Sequence, residues 1–391
     1  MRDFEYQNQT ELVFGRDAIG KVGGRAAAAT GSRRAMLVRS GRSAWERPIR
    51  DEVVASLEEA GFSVCELEGV VPNPRLSKVR EGVELARAED VGIVIGLGGG
   101  SAIDTAKGVA AGACHDGDVW ELYAGGEVTG NLPVGAVPTI AATGSEASVF
   151  SVVTNDDTLE KLGCGAPSLR PVFACMNPET TFTLPAWQTA CGAADIMAHA
   201  MDTYFGDSRD VELQNMLLES VMRCVVRFAP QALATPDDYE ARAQLMLAGT
   251  YAMSQQLGVG HSTNLAPHEI GENLGGLYDV THGAILAVLE PACVRAVMEG
   301  DPERVVRFAN RVFDVPVDTE DPRRTAEEGI ARLGAFFRSL GLPATLAELG
   351  IDFASERERL FGRVAAWDAD GEIYQRYSPE EVDRILESVA G

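Results

Sequence analysis

The feature that most constrains this chain is a change of texture along its length. Up to about residue 177 short apolar runs alternate with amphipathic stretches, and beyond it strand-like runs all but vanish. The apolar runs Ala35–Arg39, Phe62–Leu67, Val91–Leu97 and Pro133–Ile140 read as strands. Helical periodicity falls between them, at Ile49–Ala60 (closed by Gly61), Val79–Ala88 and Ser101–Ala113. Such alternation requires a mostly parallel sheet with helices on both faces. The second half reads as helices over Ala186–Phe205, Val211–Phe228, Tyr239–Gln255, His282–Met298, Pro302–Val312, Arg324–Ser339 and Pro379–Val389. The expected organisation is an α/β domain over residues 1–180 and an all-α domain over 181–391, with the change marked by Pro178 and Pro185. No internal repeat of about 20–50 residues is found.

Composition excludes several classes. The formal net charge of −24 opposes binding to nucleic-acid backbones and anionic membranes. No apolar run approaches the roughly 18 residues of a membrane span. The opening MRDFEYQNQT has no apolar core of the signal-peptide kind. The seven cysteines are scattered and form no C-x-x-C pair, which argues against a disulfide framework or a thiolate zinc site and fits a reducing cytoplasm.

Two glycine-containing turns follow strand-like runs. Gly98-Gly99-Gly100-Ser101 links VGIVIGL to the helix SAIDTAKGVA, with Ser101 a candidate cap and Asp104 three residues on. Glycines let backbone N–H groups approach a phosphate, and a helix N-terminus favours negative charge. The second turn, Thr139 to Glu146 with Thr143, Gly144 and Ser145, follows PVGAVPT. Parallel strands aim their carboxyl ends at one edge, so both turns can line one cleft. Each also suits a purely structural cap.

Asp195 and His199 stand i, i+4 in one expected helix, on one face. His268 and His282 lie further on, and the chain has only five histidines. One carboxylate and three imidazoles are a borderline-to-hard donor set suited to Fe(II), Zn(II), Co(II) or Mn(II). The Asp195–His199 spacing equally suits an ion pair on a helix surface.

With these segments together, the chain resembles the iron-containing (group III) alcohol dehydrogenases, in particular their butanol-dehydrogenase-like branch. The resemblance is carried by FEYQNQTELVFG, the PNP at 72–74, GGGSAIDTAK at 98–107, PTIAATGSE at 138–146, MNPETTFTLPAWQTACGAADIMAHAMDTYF at 176–205 and PHEIGENLGGLYDVTHG at 267–283. It implies a Rossmann-like dinucleotide-binding N-terminal domain, an all-α metal-binding C-terminal domain and a cleft between them. It implies Asp195, His199, His268 and His282 as metal ligands, with Fe2+ ahead of Zn2+. Gly99, Gly100, Ser101 and Asp104 would hold the pyrophosphate region, with Asn73, Thr139, Thr143 and Ser145 as further cofactor contacts and Lys161 on the nicotinamide side. The implied activity is hydride transfer between a nicotinamide cofactor and a small alcohol or aldehyde, by a cytoplasmic homodimer.

Two departures from the family pattern bear on chemistry. Many NAD-preferring relatives have an aspartate where the first strand ends. Here the run Leu37-Val38-Arg39-Ser40-Gly41-Arg42-Ser43 has no acid, so Ser40, Gly41 and Arg39 or Arg42 are expected to accept a 2′-phosphate, placing NADP(H) ahead of NAD(H). Four residues after His268, where relatives often have a further histidine, stands Glu272. It is a candidate general acid/base, a partner for a metal-bound imidazole, or structural. His261 matches no ligand position, and Asp202 replaces a frequent glutamate. The alternatives to this activity are a dehydroquinate-synthase-like lyase, which would have a more basic pocket, and an inactive cofactor-binding homologue.

Overall fold

The structure, a computed structural model, describes residues 1–41, 43–367 and 377–391, with side chains up to 361 and from 377 onward. Two compact units are formed. One comprises Gln7–Leu184 with Pro236–Ser254; the other comprises Met1–Tyr6, Pro185–Thr235 and Gln255–Gly391.

The first unit is built on strands β1 (Glu11–Phe14), β2 (Arg34–Arg39), β3 (Ser63–Leu67), β4 (Ile93–Gly98), β5 (Val134–Pro138), β6 (Phe150–Thr154), β7 (Lys161–Gly165) and β8 (Phe173–Met176). Six of them form a parallel sheet in the order β1-β8-β5-β4-β2-β3, while β6 and β7 pair as an antiparallel hairpin. Helices α1 (Val22–Ala29), α2 (Glu46–Glu59), α3 (Leu76–Ala88), α4 (Gly100–Ala113) and α5 (Trp120–Tyr123) connect them. Alternation along β2 builds both faces. Met36 and Val38 join Val79, Val83 and Val109 of α3 and α4, while Ala35 and Leu37 join Val22, Val53 and Leu57 of α1 and α2. β4 is buried along its whole length, as a strand covered on both faces must be.

Topology locates the binding edge. From β2 the chain steps outward to β3, returns to β4 on the other side of β2, then continues away through β5 and β8. The direction of winding reverses between β2 and β4, and ligands of open α/β sheets bind outside the carboxyl ends of such a pair. Those ends are Arg39 and Gly98.

The second unit holds α6 (Ala186–Tyr204), α7 (Glu212–Ala234), α9 (Ala266–Tyr278), α10 (His282–Gly300), α11 (Pro302–Phe313), α12 (Pro322–Ser339), α13 (Phe353–Trp367) and α14 (Pro379–Ser388); α8 (Tyr239–Met253) belongs to the sheet unit. α6 is buried on all sides from Thr189 to Tyr204, which makes it the central helix of its unit. α8 joins the sheet unit because Gly144, at φ +60°, leaves room for it: a Cβ there would lie 2.5 Å from the Gly249 carbonyl. Thr250 Oγ1 also donates to Glu146 Oε1 at 2.6 Å. Among the described residues no helix is long and apolar enough to cross a membrane.

Candidate functional site

Two constellations stand out, one in each unit. In the sheet unit β4 runs into the glycine turn with Gly98 at φ +145°, a conformation open to glycine. Helix α4 begins one residue earlier than expected, at Gly100. Gly99 is its N-cap and contributes no side chain, so Ser101 lies inside the first turn and does not cap it. The first N–H groups of α4 thus lack a side-chain cap at an edge suited to an anion. A Cβ on Gly99 would lie 2.7 Å from Ile140, and one on Gly100 would lie 2.6 Å from Thr143. The two glycine turns are therefore in contact, and Thr139 N donates to Gly98 O at 2.9 Å.

Asp104 braces these turns. Its Oδ1 accepts from Ser145 Oγ at 2.5 Å and its Oδ2 from Val152 N at 3.2 Å. Both oxygens thus face protein donors. Lys107, absent from the expected set, completes the brace. It is fully buried, and its Nζ meets the carbonyls of Ser145, Ser148 and Phe150 at 2.8, 3.0 and 2.7 Å and Ser145 Oγ at 2.8 Å. Burial, opposed by Asp104, lowers its pKa to about 8. Asn73, at φ +52°, is buried and accepts from Lys161 Nζ at 3.3 Å.

The end of β2 differs from expectation. Acids absent from residues 37–43 arrive from elsewhere. Glu46, from the start of α2, accepts from Ser40 Oγ at 2.6 Å, Gly41 N at 3.0 Å and Arg39 Nη1 at 2.9 Å. Arg39 Nε donates to Glu66 at 2.6 Å, and its Nη2 to Glu68. Ser40, Gly41 and Arg39 therefore already meet carboxylates. Arg42 lies outside the described residues.

In the helical unit Asp195 and His199 lie in buried α6, His268 on α9, and His282 at the first position of α10. Asp195 Oδ1 is 3.7 Å from His282 Nε2 and 4.0 Å from His268 Nε2. Ligand atoms of these three residues all lie within 4.8 Å of one another. His199 stands beside the trio, its ring stacked on that of His268 with centroids 4.4 Å apart. These separations are too long for hydrogen bonds. Metal–ligand bonds of about 2.1 Å in a tetrahedral arrangement place ligand atoms about 3.4 Å apart, a few tenths of an ångström closer than here. Asp195 Oδ1 and His199 Nδ1 are buried with no hydrogen-bond partner, a costly state for a carboxylate unless a cation faces it. The residues thus fit a divalent ion by donor chemistry, spacing and unmet polarity.

A second convergence shares His268. Its Nδ1 lies 2.6 Å from Asp202 Oδ2, and Glu290 joins the same group. One ring nitrogen of His268 faces the Asp195–His282 side and the other faces buried acids, the arrangement that fixes a ligating imidazole's tautomer and orientation. Burial pushes the Asp202 and Glu290 carboxyls well above the usual carboxylate range, and burial also holds His199 below the ordinary imidazole value. Glu290 escaped the sequence reading, although a lone acid inside GAILAVLEP was a visible signal. Glu272 sits half-buried on α9, one turn beyond His268. His261 lies outside both groups, its pKa lowered to about 4 by burial and nearby Arg304. Phe150, Trp187 and Tyr251 are exposed, and Trp187 Nε1 donates to Thr281 Oγ1 beside His282 at 3.4 Å.

Comparison with known proteins agrees with this architecture. Residues 9–178 match the model of the iron-containing alcohol dehydrogenases, and residues 189–389 match that of the C-terminal part of the same family. The chain is 35% identical over 375 residues to NADH-dependent butanol dehydrogenase A of Clostridium acetobutylicum, covering 95% of each protein. It is 30% identical over 359 residues to the NADPH-dependent aldehyde reductase YqhD of Escherichia coli, covering 91% of each. The crystal structure of NADH-dependent butanol dehydrogenase A from Thermotoga maritima superposes with a TM-score of 0.95 at 35% identity, over 100% of this chain and 99% of that one. Sheet topology, the glycine turns and the buried acid–imidazole group thus occur together in a protein that belongs to the iron-containing alcohol dehydrogenase family.

Proposed function

We propose that this protein is a metal-dependent alcohol dehydrogenase, or aldehyde reductase, that moves a hydride between a nicotinamide dinucleotide and a small alcohol or aldehyde. The observation that carries the reading is the approach of His268 and His282 to the unpartnered Oδ1 of buried Asp195. In this reading Asp195, His199, His268 and His282 hold one divalent cation, Fe2+ ahead of Zn2+. A bound cation of this kind supplies Lewis acidity at the substrate oxygen.

The remaining work falls to the chain's own groups. Asp202 holds the His268 ring so that Nε2 faces Asp195. Glu272, as general acid/base, takes the proton from an alcohol or returns it to the oxygen of a reduced aldehyde. In the sheet unit the uncapped first turn of α4, with Gly99, Gly100 and Ser101, receives the pyrophosphate. Asp104, Ser145 and Lys107 keep that turn in shape, while Thr139, Thr143, Asn73 and Lys161 line the same edge. The relatives include NADH-dependent and NADPH-dependent enzymes, so their names do not choose the dinucleotide. A homodimer is the expected assembly, to be checked by analytical sedimentation.

The test combines metal analysis of the purified protein with absorbance loss of NADH and NADPH over a panel of small aldehydes. Turnover that stops on chelation and returns with Fe2+ or Zn2+ is expected. Full turnover after rigorous chelation sinks the reading.

A further inference from the structure

The loop closing β2 carries information about the adenosine ribose. Glu46 is only 2% exposed and gathers the Ser40 hydroxyl, the Gly41 N–H and Arg39 Nη1 onto its two oxygens. The other two nitrogens of Arg39 are taken by Glu66 and Glu68, and Glu66 is also bound by Arg50. Among the described residues, Arg39 and Arg50 face the carboxylates of Glu46, Glu66 and Glu68, and Arg50 also meets Asp51. Among the described residues, the donors of Arg39, Ser40 and Gly41 at the strand end already serve carboxylates. Glu68 completes the arrangement on the outside. Its side chain is 54% exposed and lies over Gly41, where a Cβ would meet its Oε2 at 3.0 Å. This edge belongs to the strand pair at which the sheet's winding reverses, where a carboxylate accepts from a ribose 2′-hydroxyl and repels a 2′-phosphate.

We infer that the protein selects NADH over NADPH, with Glu46 withdrawing the loop's donors from a 2′-phosphate and Glu68 presenting the carboxylate that meets the ribose 2′-hydroxyl. The inference rests on the dinucleotide site proposed above. It adds which cofactor that site takes and which residues decide it. Neither glutamate is in the first strand's terminal run: Glu46 comes from the following helix and Glu68 follows the neighbouring strand.

The test measures binding, not turnover. The metal-loaded protein as purified is titrated with NADH and with NADPH by calorimetry, for the wild type, for Glu68→Gln and for Glu46→Gln with Glu68→Gln. Glu68 is exposed enough for its single variant to keep the fold, and circular dichroism checks both variants. The wild type is expected to bind NADH at least about tenfold more tightly than NADPH, the scale of a like-charge contact. Glu68→Gln is expected to narrow that ratio severalfold by strengthening NADPH binding, with NADH weakened far less. Wild-type NADPH binding equal to or tighter than NADH overturns the inference and leaves the dinucleotide site standing. A ratio unmoved by Glu68→Gln overturns the role of Glu68. If neither dinucleotide binds, the site itself is refuted and this inference goes with it.

Discussion

Gly283 is the residue whose replacement most directly tests how the proposed metal group is assembled. It follows His282 at the start of α10, where that helix crosses α6 so closely that a Cβ would lie 2.0 Å from the Cys191 carbonyl oxygen and 2.7 Å from its carbon. Both obstacles are backbone, so no side-chain rotation relieves the clash. Restoring an ordinary contact of 3.4 Å requires the two helices to separate by about 1.4 Å at this point. Asp195 stands one turn beyond Cys191 on α6, and His282 is the neighbour of Gly283. Their 3.7 Å separation therefore takes up most of that displacement. Metal sites tolerate only about 0.2 Å in each bond, so Gly283→Ala is expected to abolish stoichiometric metal binding. Overpacking adds a stability loss of about 1–3 kcal/mol. Metal content by mass spectrometry after gel filtration reads the first effect, and denaturant unfolding of the metal-free protein reads the second. A Gly283→Ala protein that keeps one tightly held ion per chain refutes the geometric argument, whatever its stability.

Three further outcomes are expected. Asp202→Asn removes the carboxylate at His268 Nδ1 and should weaken metal affinity by about 10–100-fold in chelator competition; an affinity unchanged within about twofold contradicts the orienting role. Glu272→Gln should lower kcat by about two orders of magnitude or more and remove one limb of its pH profile while metal content stays at the wild-type level; retained kcat leaves proton transfer to another group. Lys107 has its folded pKa lowered from 10.5 to about 8, so between those values the unfolded chain holds the extra proton. Its contribution to stability is therefore complete above 10.5 and lost as pH falls through 8. Unfolding free energies from pH 7 to 10.5 should rise with pH more steeply in the wild type than in Lys107→Met, and parallel profiles refute this.

What the sequence disclosed and what it hid follow one physical division. The sheet was legible because strands covered on both faces need continuous apolar runs, as in VGIVIGL, and Asp195, His268 and His282 stood out as candidates because the chain has few histidines. The hairpin β6–β7 and strand β8 were not. KLGCG has two glycines and little β-branched character, and FACM is four residues long. α9 was also hidden, since Gly271, Gly275 and Gly276 interrupt its apolar periodicity; it is held by packing, with Ile270 and Leu274 in the core.

The more consequential misses are charged residues whose partners are chosen by tertiary structure. Reading residues 37–43 for an acid answers which side chains leave that strand, but a ligand at the sheet edge meets whatever the fold delivers there. Here the fold delivers Glu46 from a helix and Glu68 from beyond the next strand, and they occupy the serine, the glycine N–H and the arginine that the sequence offered to a phosphate. Lys107 and Glu290 follow the same logic, since a buried charge is tolerable only where distant groups converge on it. Lys107 finds carbonyls from 145 to 150, and Glu290 shares its group with Asp202 and His268. Local pattern therefore names residues that one element can place by itself. Residues whose role depends on elements meeting, which here include those that would choose the cofactor, become visible only when the elements are assembled.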